Sequence, residues 1–266
     1  MTKLNSPLSW YGGKYRMVDL LLTEILAIPH KTYVEGFGGA GHVILNKPMG
    51  QVDVYNDLHG GLVNFFTVLR EQPDELQRIL ALTPYSRQEF TACLDWANAP
   101  TPLEKARRFY VVVRQSFGSK QETWSHARTT IRRGMSATVS KWLTNIEVKM
   151  PAVVARLRQL QVENLDFTDL INRYDTPDTL FYLDPPYVPS TRVALNAYTH
   201  EMTYADHERL IDILKDVEGK VVLSGYENEL YNSLGWAKKV LYSNVAGSSS
   251  INSDKPVLTE MIWLKA

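Results

Sequence analysis

The spacing of apolar and polar positions changes several times along the chain, and each change marks an element. In YRMVDLLLTEILA the apolar residues recur at the three- and four-residue spacing of an amphipathic helix. TYVEGF and QVDVYND follow as two short β-rich runs that predict strands, and HGGLVNFFTVLRE starts a further helix. From about residue 60 to 160 strand signals nearly vanish. DELQRILAL, SRQEFTACLDWA, PLEKARRFYVVVRQSF and the stretch around IEVKMPAVVARLRQL predict helices, with Pro151 required to begin or break the last. HARTTIRRGMSAT predicts a loop or small hairpin. Alternation returns with VENLDF and TLFYLD as strands, a helix from YADHERLIDILKDV, then KVVLSG, KKVLYSNV and TEMIWLKA as strands. No internal repeat is visible. Strand–helix alternation predicts an α/β, doubly wound sheet with helices on both faces. The helical middle predicts an inserted domain over 60–159, with its loop or hairpin near 118–140, leaving 1–59 and 160–266 as the other domain.

Composition narrows the class. At 266 residues, 44% hydrophobic and 22% charged, the chain suits one large α/β domain carrying an insertion. No apolar run is long enough to span a bilayer, and MTKLNSPLSW lacks the apolar core of a signal peptide. The single cysteine, Cys93, excludes an internal disulfide and a cysteine-rich metal site, and its position predicts a small buried side chain. A reducing cytoplasm is the expected location.

Net charge is zero, but the charges are unevenly spread. From Lys105 to Lys141, nine basic residues (Lys105, Arg107, Arg108, Arg114, Lys120, Arg128, Arg132, Arg133 and Lys141) face one acid, Glu122. A solvated helix face normally mixes both signs, so this window predicts a surface for a polyanion.

Three motifs carry chemistry. Gly36, Gly38 and Gly41 in VEGFGGAGHV match G-x-G-x-x-G after the first predicted strand, which would allow a tight turn and close ligand approach. Asp57 ends the next strand, where it could accept from ribose hydroxyls or else cap the helix that begins near His59. TLFYLDPPYVPS places Asp184 where a buried strand stops, with Pro185 and Pro186 forbidding helix and further central pairing. All three fall at carboxyl ends of predicted strands, where open α/β sheets gather ligands. Lys14 in SWYGGKY reads as a grip for phosphate or carboxylate, or as an exposed lysine.

Taken in order, WYGGK, EGFGGAG, YND and LDPPY resemble the Dam family of DNA adenine methyltransferases. RFYVVVRQSFGS resembles the family's helix into its recognition hairpin, NLDF its acid and aromatic beside the cofactor adenine, and TYADHERL the helix after its catalytic loop. The family usually has an acid and proline before its glycine turn, where Glu35 and Gly36 stand here. The resemblance implies a Rossmann-like methyltransferase sheet, S-adenosylmethionine as cofactor with no metal, and a flipped target base. It implies that Trp10, Tyr11, Lys14, Glu35, Gly36, Phe37, Gly38, Gly39, Gly41, Asp57, Asp166, Phe167 and Asp184 hold the cofactor. Asp184, Pro185, Pro186 and Tyr187 would be the catalytic set. An adenine amine is a poor nucleophile because its lone pair is delocalised into the ring. Asp184 and the Pro185 carbonyl, accepting its two N–H groups, would localise that pair, while Tyr187 stacks on the base.

Arg128, Arg132 and Arg133 are candidates for base reading, with Arg114 and Lys120 for phosphates. Double-stranded DNA is the expected partner, GATC the family's commonest target, and a cognate restriction enzyme a further expected partner. A monomer or weak dimer away from membranes is expected. The alternatives are an RNA or protein amide N-methyltransferase, for which Asn-Pro-Pro-Tyr is commoner, and a non-catalytic DNA-binding regulator. A nicotinamide dehydrogenase would have no use for Asp-Pro-Pro-Tyr.

Overall fold

The computed structural model describes residues 3–119, 121–192, 200–245 and 257–266. In chain order the strands are β1 (Thr32–Glu35), β2 (Val52–Asn56), β3 (Ile131–Arg132), β4 (Met135–Ser136), β5 (Gln161–Glu163), β6 (Thr179–Leu183), β7 (Lys220–Tyr226), β8 (Ala237–Val245) and β9 (Val257–Lys265). The helices are α1 (Val18–Ala27), α2 (His42–Asn46), α3 (Gly60–Glu71), α4 (Pro73–Ala81), α5 (Arg87–Cys93), α6 (Pro102–Gln115), α7 (Ala137–Thr144), α8 (Met150–Leu157), α9 (Phe167–Tyr174), α10 (Tyr204–Asp216) and α11 (Glu229–Asn232). The chain divides into two compact units. The first comprises 1–15, 39–47 and 59–164; the second comprises 16–38, 48–58 and 165–266. Residues 1–15 and 39–47, which sequence alone groups with 160–266, thus pack with the helical segment.

Six strands of the main sheet lie in the second unit, in the order β2-β1-β6-β7-β9-β8. β2, β1, β6 and β7 run parallel, and β9 and β8 add an antiparallel edge. Every residue of β6 is buried, which is why its sequence is a continuous apolar run rather than an alternating one. Val34, Val54, Phe181, Leu183, Val221 and Leu223 meet Leu170, Leu210, Leu214 and Trp263 in one core. The arrangement is a Rossmann-like α/β sheet, as the resemblance implies.

The first unit is mainly helical. The single cysteine is buried in α5, and burial pushes its thiol up to about 12, so it stays protonated. Pro151 sits in the first turn of α8, directly after a π-helical turn over Asn145–Lys149. The missing N–H of Pro151 leaves the ladder one bond short, and the helix widens just before it. β3 and β4 form a two-residue hairpin pairing Ile131 with Ser136 and Arg132 with Met135. Its central residues, Arg133 (φ 54°) and Gly134 (φ 73°), both lie in the left-handed region, the geometry that matches strand twist in a tight hairpin. No described helix is long and apolar enough to cross a membrane.

Two boundaries depart from sequence expectation. VENLDF predicts a strand to Phe167, but β5 ends at Glu163. The reason is Asn56, buried at the end of β2. Its amide nitrogen donates to the carbonyls of Gly36 (2.8 Å) and Leu165 (3.1 Å), and its oxygen accepts from the Leu165 N–H (2.8 Å). With both Leu165 backbone groups taken, no ladder can continue there. Asp166 then accepts from Thr168 N–H and caps α9. The cap of α3 is likewise not Asp57: the His59 ring accepts from the Gly61 and Leu62 N–H groups through Nδ1.

Asn56→Ala removes three bonds at a buried site and is expected to lower unfolding stability by about 2–3 kcal/mol. Urea titration followed by circular dichroism measures it. An unchanged midpoint would mean that these peptide groups are satisfied without Asn56.

Candidate active site

Three adjacent parallel strands of the second unit end side by side, since Glu35 pairs in register with both Tyr55 and Tyr182. Beyond them come Gly36–Gly38 after β1, Asp57 after β2 and Asp184–Tyr187 after β6. Gly36 donates to the Tyr182 carbonyl at 3.0 Å and Gly38 to the Asn56 carbonyl at 2.8 Å, so the turn is bonded to both neighbouring strands. A Cβ on Gly38 would come within 2.2 Å of the Tyr55 ring, and one on Gly36 within 2.6 Å of Leu183. These two glycines are therefore required by the packing of the turn itself. Glu35 is buried and accepts from the Tyr33 hydroxyl at 2.9 Å.

Two further acids lie around this edge. Asp57 is half-buried and follows Asn56 directly. Asp166 Oδ2 pairs with Arg209 at 3.2 Å while its other oxygen caps α9. Phe167 belongs largely to the core, with Phe37 at 6.0 Å and the Arg209 guanidinium 4.5 Å above its ring. The described residues contain no group of carboxylates, histidines and cysteines suited to a metal.

Asp184 is half-buried at the end of β6, and Pro185 and Tyr187 are buried. Three tyrosines feel its charge. Burial first and Asp184 next hold the Tyr182, Tyr187 and Tyr231 hydroxyls protonated far above their ordinary range. The Tyr187 hydroxyl donates to Glu260 Oε1 at 2.7 Å. Tyr231 meets His207 Nδ1 at 2.9 Å, and burial pushes His207 down to about 4, so it is neutral near pH 7. These neutral groups and the Glu260 carboxylate surround the end of β6.

In the first unit, Gly39 (φ 51°) and Gly41 (φ 69°) take left-handed conformations, and a Cβ on Gly39 would press on Trp10 at 3.1 Å. Trp10 packs edge-on against His59 and near Phe109. Tyr11 is exposed. Lys14 is only 5% exposed, which removes the reading of a solvated lysine; its ammonium donates to the Gly12 carbonyl at 3.3 Å.

The basic window divides. Arg107 pairs with Glu89 (2.5 Å) and Glu104 (2.8 Å), and Arg108 with Glu104 (2.7 Å). Hydrogen bonds from Arg107 foremost hold the Glu104 carboxyl at about 2. Those two arginines serve the helices. Arg114 donates to the Ser9 hydroxyl. Arg128, Arg132 and Arg133 are exposed on and beside the hairpin, where Arg133 donates to Thr144 at 3.2 Å. Lys120 lies outside the described residues.

Sequence reasoning missed three functional candidates. Lys149 lies beyond the window, on the π-helical turn, and burial, then Arg114 and Arg132, lower its pKa. Arg87, from α5, lays its guanidinium 4.8 Å from the Trp124 ring. Glu260, on the last strand, reaches Tyr187. Only the proline that distorts the helix before Lys149 left a signal in the sequence.

Comparison with known proteins agrees with this geometry. A type II methyltransferase of Lactococcus lactis subsp. cremoris, M1.LlaDCHI, is 24% identical, over 95% of this chain and 92% of its own length. A DNA adenine methylase of Serratia marcescens is 23% identical over 95% of this chain and 97% of its own length. Modification methylase LlaI of Lactococcus lactis subsp. lactis is 28% identical over 90% of this chain, which spans 36% of that protein. The D12 class N6 adenine-specific DNA methyltransferase family matches residues 10–244, most of the chain, and the protein belongs to it.

Proposed function

We propose that the protein moves a methyl group from S-adenosylmethionine to N6 of an adenine extruded from duplex DNA. The observation that carries this reading is the shared edge of β2, β1 and β6, where the glycine turn, Asp57 and Asp-Pro-Pro-Tyr end side by side. The acidic rim of Glu35, Asp57, Asp166 and Asp184 fits a cationic donor with ribose hydroxyls, and the close-packed Gly36 and Gly38 carry no side chain to obstruct it. Phe37 and Phe167 would flank the adenine. Trp10, Tyr11, Lys14, Gly39 and Gly41 are added to the cofactor set by family resemblance. S-adenosylmethionine, when bound, supplies an electrophilic methyl group on a sulfonium.

The protein's own part is to prepare the amine. Asp184 and the Pro185 carbonyl accept the two N–H groups of N6 and direct its lone pair outward. Pro185 and Pro186 keep that carbonyl from turning, so it is already placed when charge develops. Asp184 also offers a carboxylate for the proton that the alkylated nitrogen sheds. Tyr187 provides the ring for the extruded base.

DNA would lie along the basic surface of the first unit. Arg132 and Arg133, at the tip of β3–β4, are placed to enter a groove, and Arg128 lies just before it. Lys149, on the π-helical turn of the same unit, would add a phosphate contact. GATC is the first target to test. A modification role beside a cognate restriction enzyme belongs to the same proposal; it is supported by the name of one relative, a modification methylase. A monomer or weak dimer in the cytoplasm completes it. Offering labelled donor with duplex DNA, RNA and protein tests the whole reading; transfer to RNA or protein but not DNA would overturn it.

Asp184→Ala is expected to leave the protein folded and still able to bind cofactor, and to abolish transfer to adenine, read as labelled N6-methyladenine. Substantial turnover would remove Asp184 from the mechanism.

Asp57→Ala is expected to weaken S-adenosylmethionine binding by roughly 1–3 kcal/mol. Titration calorimetry showing unchanged affinity would take Asp57 out of the site.

Arg132→Ala or Arg133→Ala is expected to cost about 1–3 kcal/mol on the proper site and to relax preference at one base pair. Lys149→Ala is expected to weaken all sequences alike and to reduce the salt slope by roughly one unit. Binding to matched and single-mismatch duplexes separates the two, and variants that behave as wild type on every duplex would place recognition elsewhere.

A further inference from the structure

Tyr187 closes the Asp-Pro-Pro-Tyr turn, and its ring is held at two points. Its hydroxyl donates to Glu260 Oε1 at 2.7 Å. Its ring meets Tyr226 edge to face, with centroids 4.5 Å apart and planes at 73°. Both contacts come from the antiparallel part of the sheet, since Tyr226 ends β7 and stands in register opposite Glu260 on β9. One strand pairing therefore delivers a carboxylate and an aromatic ring to the same phenol.

Tyr187 is only 4% exposed. Bringing a carboxylate to a buried phenol is a costly way to fill space, because the charged group gives up water to reach a neutral donor. A phenylalanine facing an apolar side chain would pack the same volume without that cost. What the polar pair adds is direction. A tyrosine ring has two side-chain torsions, and a hydrogen bond at its para end together with a ring at its side fixes both.

We propose that Glu260 is a positioning residue that sets the plane of the Tyr187 ring, so that a base extruded beside Asp184 meets a stacking face already oriented. The proposal rests on the reading of Asp184–Tyr187 as the turn that receives a flipped adenine. Glu260 touches neither the base nor the methyl group and acts through Tyr187. A ring held in advance loses no torsional freedom when the base arrives, so the gain falls on the chemical step and on retention of the extruded base.

The test uses the full chain and unmodified bacterial duplex DNA, with kcat, KM and S-adenosylmethionine affinity measured for each variant and thermal melting confirming the fold. Glu260→Gln keeps an oxygen that accepts from the phenol and is expected to hold kcat within about threefold of wild type. Glu260→Met keeps the length but not the acceptor and is expected to lower kcat about tenfold or more, with cofactor affinity unchanged. In a Tyr187→Phe background the same Met substitution is expected to add less than about twofold, because the hydroxyl it would orphan is gone. A wild-type kcat in Glu260→Met overturns the proposal, and so do losses that multiply in the double variant. If Glu260→Met does not fold, Tyr187→Phe and Glu260→Gln decide: the first must lower kcat and the second must not. A wild-type protein that methylates no adenine in duplex DNA overturns the reading of the site as well, whereas an active wild type indifferent to Glu260 overturns this role alone.

Discussion

One side-chain amide joins three stretches of backbone that are far apart in sequence. Parallel neighbours such as β2, β1 and β6 open at the same edge, and their last peptide groups have no strand left to pair with. Asn56 meets that need, taking the Gly36 carbonyl and both backbone groups of Leu165. Three of the four rim acids then fall one residue from a group in this knot. Glu35 precedes Gly36, Asp57 follows Asn56, and Asp166 follows Leu165. The carboxylates are held by short lengths of clamped backbone, and their spacing follows from a polar contact in the fold.

Much of this edge was legible in the sequence because local chemistry dictated it. The apolar run before Asp184 could only be a buried strand, and two prolines could only end it. The glycines of EGFGGAG announced a turn. What stayed hidden depends on partners distant in sequence. Nothing in VENLDF shows that Asn56 will take the Leu165 backbone, so the strand was read as longer than it is. The ring of His59 as a helix cap runs against the usual preference for Ser, Thr, Asp or Asn, and Asp57 was the natural candidate. Glu260 lies more than seventy positions from Tyr187, just before the apolar run Met261–Leu264, which says nothing of that partner.

The charge distribution shows how far composition carries an argument. Counting from Lys105 excludes Glu104 by one residue, and Glu104 is the acid that binds Arg107 and Arg108. Those two arginines fasten α6 to itself and, through Glu89, to α5. The positive surface that remains is narrower than the count implied but extends further along the chain, since Arg87 and Lys149 flank the window on either side. Spacing along a sequence records how many charges there are; only the fold records which of them are already answered.

The hairpin of β3 and β4 has two strand residues on each side, and Ile131, Arg132 and Met135 are all exposed. Its register is set by the left-handed pair Arg133–Gly134 and not by any buried face. Because the core asks nothing of these side chains, substitution at the tip meets little resistance from folding so long as the turn survives. By contrast, Gly38 has no room for a single methyl group. The two regions therefore have very different freedom to drift: the glycine turn is frozen by its neighbours, while the hairpin can exchange its side chains without rebuilding the fold.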